Sequence, residues 1–427
     1  MNRFIVPLTS PQATDPERVG PKAANLAMLG RAGLPTPGGF CLTAGAYRHQ
    51  IAALGLVDAL VQYGAGDPRR DRQLSVEIRL GLYEQPIAPE IADEALLPVW
   101  HSYRDAFPGP WAVRSSALIE DRAGANFAGQ FESFLGIDND TDFITAVRAC
   151  WAALWTTNAR RYMENHGLNP ASTAMAVLIQ PLVAARASGG GLSETAEGNM
   201  LISATWGLGS AIAQGEVVPD RVILSRQGFV RTVQAGRKDH RDTCGHGQVA
   251  PQAVSKEEAS KPCLTPGQAT ELGRMLRKCE TLMEMPVEVE WALDDNGFKL
   301  LQARPLQVQP IVVPDEIWLT HPKLSGHPAG IGWGSGRAVV VSCECELSRV
   351  APGDVLVTKV AGPALSHILP QVAGVVAELG GSTSHIASLG RERGIPMVLG
   401  VLDATTTIPD GAQVAVDGVA GVVRWIP

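Results

Sequence analysis

The stretch that decides the fold is Glu378-Leu-Gly-Gly-Ser-Thr-Ser-His385-Ile-Ala-Ser-Leu-Gly-Arg-Glu-Arg-Gly-Ile-Pro396. The small apolar run at 373–377 predicts a buried strand entering a Gly380-Gly381 turn. Thr383 and Ser384 then precede a helix that starts near His385. Gly394 suits the left-handed position past its end, and Pro396 stops it. This spacing puts an imidazole at a helix N-terminus, beside backbone N–H groups and small hydroxyls. Such a place suits a dianionic phosphoryl group, because the amides donate to its oxygens and the helix dipole favours negative charge. The same field disfavours imidazolium and leaves a neutral ring nitrogen able to attack phosphorus. The two glycines would let a phosphate chain approach without a Cβ in the way. A capped helix around an ordinary histidine is the plainer reading. The coincidence of Gly-Gly, hydroxyls and helix start weighs against it.

Outward from that stretch, GRAVVV, DVLVT, AGVVAELG, PMVLGV and AQVAVDG are short β runs broken by Gly and Pro, which predicts a small domain over 329–427. Residues 311–328 carry Pro314, Pro322 and Pro328 with little periodicity and read as a semi-rigid linker. Residues 1–190 mix both periodicities. They predict a helix from Lys22 to Ala32 stopped by Gly33 and Pro35, strands at Trp111–Ser116 and Phe127–Ile137, and helical spacing from Ala146 to Gly167. Residues 191–310 are richer in strands, with a helix across Pro266–Met283 and a closing hairpin around Asp294-Asp295-Asn296-Gly297. Alternation in that hairpin puts Glu288 and Glu290 on one face. The fold class is α/β (α+β).

Bulk properties narrow the function classes. A formal net charge of −7 lacks the basic footprint of a nucleic-acid binder. No run of 18 apolar residues predicts a membrane span, and the N-terminus has no apolar signal segment, so a cytoplasmic protein is expected. Seven scattered cysteines read as reduced thiols rather than a disulfide framework, with Cys343 and Cys345 as ordinary surface or strand residues.

The C-terminal motif GGSTSHIASLGRERGIPMVLG, with APGDVLVTK before it and DGAQVAVDGVAGVV after it, resembles the swivelling phosphohistidine domain of the phosphoenolpyruvate synthase, pyruvate phosphate dikinase and rifampicin phosphotransferase family. That likeness implies a small β/β/α domain in which His385 is the phosphocarrier, flanked by Thr383 and Ser384. Upstream, Lys22 in VGPKAANL and Arg114 in VRSS, with Gly129, Gln130, Glu132 and Ser133, resemble the family's nucleotide-binding domain, an ATP-grasp fold of two subdomains. Gln180 falls where that family's hinge contacts adenine. Trp206-Gly-Leu-Gly209 with Gly215-Glu216 and Pro219-Asp220 matches a long family signature. Glu288-Val-Glu290-Trp-Ala and Leu301-Gln302-Ala-Arg304-Pro305 resemble its metal-binding hairpin. The resemblance implies Lys22, Arg114 and Arg304 as phosphate contacts and Glu290 and Gln302 as Mg²⁺ ligands, since carboxylate and amide oxygens suit that ion.

Two residues depart from the family pattern: Pro21 stands where Gly is usual before Lys22, and Ala187-Ser-Gly-Gly-Gly-Leu-Ser is unusually rich in glycine. The family's acceptor domain is not recognisable in either of its usual places, which leads to the expectation of a split enzyme. ATP would pass its β-phosphoryl group to His385 with release of AMP and phosphate, and a partner subunit would bind the acceptor. By analogy with phenylphosphate synthase, a phenol or cresol hydroxyl is the expected acceptor, with pyruvate as the alternative. A nucleotide-binding regulatory protein without turnover is the alternative of another class.

Overall fold

The first long helix, Pro16–Arg31, starts under an N-cap, Asp15, whose carboxylate accepts from the Glu17 N–H. It breaks at once. Gly20 adopts φ 77°, and a Cβ there would lie 2.3 Å from the Ser116 carbonyl oxygen, so only glycine lets the helix press onto that strand. Pro21 opens the resumed helical stretch, where its missing N–H and fixed φ are tolerated. The unusual residue before Lys22 is therefore a helix starter.

The computed structural model describes residues 3–120, 127, 131, 133–245, 248–308, 318 and 320–426. The chain divides into two compact units. The first comprises Met1–Val183, Cys244–Ala250 and Lys299–Ala303, and the second comprises Ala184–Thr243, Pro251–Phe298 and Arg304–Pro427. The break after Val183 gives the whole glycine-rich strand 187–192 to the second unit, and the middle of the closing hairpin returns to the first.

In the first unit, β1 (Ile5–Pro7), β2 (Phe40–Leu42), β3 (Trp111–Ala117), β4 (Ser133–Ile137) and β5 (Met175–Pro181) form an antiparallel sheet in the order β1-β2-β5-β3-β4. Met175 to Ile179 of β5 are wholly buried, each large apolar side chain contributing about 1.5–3 kcal/mol, so β5 anchors the sheet. The single helical segment expected over 146–167 is two helices, Asp140–Ala153 and Thr157–Asn165. Thr156 caps the second through the Ala159 N–H. The strand expected over 127–137 spans Ser133–Ile137, and Gly129, Gln130 and Glu132 lie outside the described residues.

The second unit holds two sheets. β6 (Ala187–Leu192), β7 (Asn199–Trp206), β8 (Asp220–Ser225) and β9 (Val230–Gln234) pair in sequence. Apart from these two sheets, β10 (His240–Gly245) and β11 (Gln248–Ala253) make a two-stranded ribbon in which Cys244, Gly245 and residues 248–250 belong to the first unit, while β12 (Val287–Asp294) runs antiparallel to β6. β13 (Gly297–Pro305) follows across the expected turn, where Asp294 Oδ1 accepts from the Asn296 N–H. The helix Pro266–Met283 carries a full capping box between Thr265 and Gln268.

The last sheet runs β14-β21-β20-β16-β17-β18-β19-β15. Its strands are β14 (Lys323–Ser325), β15 (His327–Pro328), β16 (Trp333–Val341), β17 (Val355–Thr358), β18 (Gly374–Ala377), β19 (Met397–Leu399), β20 (Gln413–Asp417) and β21 (Val422–Ile426). β16 joins its halves: residues 333–337 pair antiparallel with β20, and residues 338–341 pair parallel with β17. The parallel strands β17, β18 and β19 are buried throughout, as continuous apolar runs require. Part of the expected linker, 323–328, therefore belongs to this sheet as β14 on β21 and β15 on β19. Residues 311–317 and 319 of the linker lie outside the described residues.

One cysteine expectation is overturned. Cys343 and Cys345 form a disulfide across the start of the 3-10 helix Glu344–Arg349. Cys343 is extended, which brings the two Cα atoms to 5.3 Å, inside the range a disulfide spans. Cys41, Cys150, Cys244, Cys263 and Cys279 are in no disulfide among the described residues. No helix among the described residues is long and apolar enough to cross a membrane.

Candidate functional site

In the first unit the Gly20 kink aims Lys22 at β3. Its ammonium donates to the Ser115 carbonyl at 2.8 Å and lies 3.4 Å from Glu120 Oε2. Burial raises the Glu120 carboxyl above its usual range, an effect that the adjacent Lys22 charge opposes. Sequence reasoning missed Glu120, because a lone acid in a loop carries no signal of a buried partner. One residue earlier, Arg114 donates to the Leu301 carbonyl at 3.0 Å and to Gln302 Oε1 at 3.2 Å. Ser133 is the register partner of Arg114 on β4. Gln180 pairs in register with Ala112, two residues from Arg114, and so shares its face of the sheet; its amide donates to the Gly38 carbonyl at 3.0 Å. The first unit thus gathers Lys22, Arg114, Ser133, Gln180 and Gln302 around β3, while Gly129 and Gln130 lie outside the described residues.

In the second unit, His385 is the first residue of the helix His385–Arg393. Ser384 is its N-cap, accepting from the Ala387 N–H at 3.3 Å, and Gly394 closes it at φ 69°. Ser384 therefore has a structural task whatever else it does. Within the same unit the loop before His385 lies on the strands of the preceding sheet. The Gly380 N–H donates to the Val217 carbonyl at 3.1 Å, and a Cβ on Gly381 would come 2.5 Å from the Pro219 ring. The Gly-Gly pair serves this contact with the protein itself, where the sequence suggested room for a phosphate chain. A Cβ on Gly190 of β6 would come 2.5 Å from Thr383 Cβ, so the glycine-rich departure in β6 is what lets Thr383 sit there. The direct cross-strand partner of Gly190 on β12 is Glu290.

Neighbouring Glu288 is fully enclosed. Its carboxylate pairs with Arg304 at 3.1 Å and with Arg391 of the His385 helix at 2.7 Å. Burial alone would raise its pKa, but the two guanidinium groups outweigh that and hold it below the usual carboxylate range. Arg391 was missed as a site residue because nothing in the helix pattern distinguishes it. Asp220 of the Pro219-Asp220 signature is consumed structurally. It pairs with buried Lys238 and accepts from the Gly236 and Cys263 N–H groups at 2.8 and 2.6 Å.

Two family models match this chain. The pyruvate phosphate dikinase AMP/ATP-binding domain covers residues 16–316, and the mobile domain of PEP-utilising enzymes covers residues 350–421. The chain belongs to this family. A phosphoenolpyruvate synthase from Pyrococcus furiosus is 30% identical over 99% of the chain, and one from Escherichia coli is 30% identical over 96%. A probable phosphoenolpyruvate synthase from Pyrococcus abyssi is likewise 30% identical over 99%. The chain spans 58%, 56% and 58% of those three proteins, respectively. Lys22, Arg114, Gln180, Glu290, Gln302 and Arg304 fall within the nucleotide-binding domain of the family, and Thr383, Ser384 and His385 within its mobile domain.

The donor types suit Mg²⁺ in kind: Glu290, in the second unit, carries a carboxylate, and Gln302, in the first, an amide oxygen that accepts from Arg114. Among the described residues no group of three His, Cys, Asp or Glu side chains could hold a metal unaided.

Proposed function

We propose that this chain performs the donor half of an ATP-driven phosphotransfer with His385 as carrier. A ring nitrogen of His385 attacks the β-phosphorus of ATP, the bond from that phosphorus to its α-bridging oxygen breaks, and AMP leaves. Water then attacks the γ-phosphorus, the bond from that phosphorus to the β-bridging oxygen breaks, inorganic phosphate leaves with the water oxygen, and the β-phosphoryl group stays on the imidazole. Lys22, Arg114 and Arg304 would offset charge on the phosphates, a matter of position and electrostatics. Glu290 and Gln302 would hold Mg²⁺, whose charge would offset part of that on the phosphates. Thr383 and Ser384 shape the loop that presents the imidazole. With ATP as the donor, the reaction is expected in the cytoplasm.

One observation carries this reading. Thr383, two residues before the carrier, stands against Gly190, the cross-strand partner of the proposed metal ligand Glu290. The carrier loop is thus seated beside the strand expected to hold the donor's metal.

The phosphoryl group then passes to an acceptor hydroxyl of the phenol or cresol type, bound by a partner subunit. Pyruvate is the second reading, favoured by the names of the relatives.

Incubation with ATP labelled at the β-position should leave acid-labile label on the wild-type chain and release AMP, both lost in His385→Ala. Label from the γ-position, or ADP as product, would overturn the half-reaction. Absence of any labelling would favour a nucleotide-binding regulator. The labelled chain, mixed with phenol, p-cresol or pyruvate in the presence of candidate partner proteins, identifies the acceptor by which one discharges it.

A further inference from the structure

The buried carboxylate of Glu288 joins two elements of the second unit that must separate if His385 is to carry a group away. Glu288 sits on β12, two residues from Glu290, and is 4% exposed. One oxygen meets Arg304 at 3.1 Å; the other meets Arg391 at 2.7 Å and lies 3.5 Å from the Ser388 hydroxyl. Arg391 is 7% exposed, and its other terminal nitrogen donates to the Ser382 carbonyl at 2.5 Å. A single guanidinium therefore closes the carrier loop on its own helix and fastens that helix to β12. Only a planar group with several fixed donors meets both demands at once; an ammonium is a point charge.

We propose that Arg391 and Glu288 form the docking latch of the carrier, and that the latch positions His385 during phosphorylation; this rests on the donor half-reaction proposed above. The other contacts of the seam fit a surface made to part. They include a backbone hydrogen bond from Gly380 to Val217, the Pro219 ring against Gly381, Thr383 over Gly190, and Gly215 beside Gly380. Each of these is small and leaves no charge stranded when broken. The latch differs, because separating it strips a buried carboxylate of one of its two cations. Arg304 remains with Glu288 when the carrier leaves, so the carboxylate keeps one cation in either state. The donor-side arginine and the carrier thus share one anchor. Glu288 and Arg391 are positioning residues, since neither touches the reacting atoms.

The test has two readouts. In Arg391→Gln, the rate of labelling from β-labelled ATP should fall by about tenfold or more, with the apparent KM for ATP changed by less than about twofold, and Arg391→Lys should recover part of the loss. The second readout is independent of activity. Amide hydrogen exchange at Gly380, whose N–H donates to the Val217 carbonyl across the seam, reports seating of the carrier. Arg391→Gln, or separately Glu288→Gln, should speed that exchange by a similar factor. Exchange as slow as in the parent overturns the latch. A wild-type chain that takes no label from ATP overturns the donor reading instead, and the exchange result then decides the latch alone.

Discussion

The cations and the amide around β3 and the hydroxyls of the carrier loop are held in different ways. Around β3, Lys22, Arg114 and Gln180 each donate to a main-chain carbonyl, of Ser115, Leu301 and Gly38 in turn. Carbonyls of packed strands and turns do not move independently, so these side chains are held in place before any ligand arrives. Around the carrier loop, the Ser382 and Thr383 hydroxyl oxygens are buried without a hydrogen-bond partner among the described residues, and so is Nδ1 of His327 on β15 nearby. Leaving a buried polar atom unpaired costs about 1–3 kcal/mol. The first unit is organised like a fixed receptor, and the carrier loop is seated at a cost that makes leaving easier.

The largest expected effect tests the fixed side. Lys22→Met leaves the Glu120 carboxylate buried beside an apolar chain, and the first unit should lose about 3 kcal/mol of stability. Urea unfolding measures it, and Lys22→Met with Glu120→Gln should regain most of the loss. An unchanged midpoint would show that the ammonium is not held as described.

The next effect concerns the carrier side and depends on pH. Burial, aided by the Arg221 charge, pushes the His327 pKa from its ordinary 6.5 to about 3. The folded value lies below the unfolded one, so the unfolded chain takes up a proton first as pH falls. Stability is therefore intact above pH 6.5 and is lost progressively between 6.5 and about 3. From pH 8 to pH 5 the second unit should lose about 2 kcal/mol through this group. His327→Gln should flatten that part of the profile. A wild-type profile already flat over this range would mean that His327 gains a partner in solution, and the contrast between the units would weaken.

The smallest effect is local. Ser384→Ala removes the cap of the His385 helix and should cost about 1 kcal/mol, read as a lower melting temperature. Ser384→Asp should preserve stability, while its charge beside His385 should slow labelling. If Ser384→Ala leaves stability unchanged but slows labelling, the hydroxyl acts on the phosphoryl group as well as capping the helix.

Much of this was legible without coordinates because it depends on neighbours in the chain. The His385 helix, its Ser384 cap and its Gly394 stop follow from local signals, and so do the capped helix at Pro266–Met283 and the turn at Asp294–Gly297. Other features had no local signal. β14 and β15 are three and two residues long, too short for periodicity, and exist because β21 and β19 offer them hydrogen bonds. The Cys343–Cys345 link depended on an extended residue entering a 3-10 turn, which spacing alone does not fix. The glycines of β6 looked like a weakness of the nucleotide domain until Thr383 was found in the space that a side chain at Gly190 would fill.

The sequence by itself determined the family and the helix start at His385, and it is the source of the proposed carrier and of the proposed cations and oxygen donors, since each is a short motif whose chemistry is written in consecutive residues. Only the tertiary structure decided what those residues lean on: Glu120 under Lys22, the Leu301 carbonyl under Arg114, and Arg391 across 103 residues from Glu288. The reason is physical. A buried charge is tolerated only beside its partner, and that partner is chosen by which elements pack together, whatever their distance along the chain.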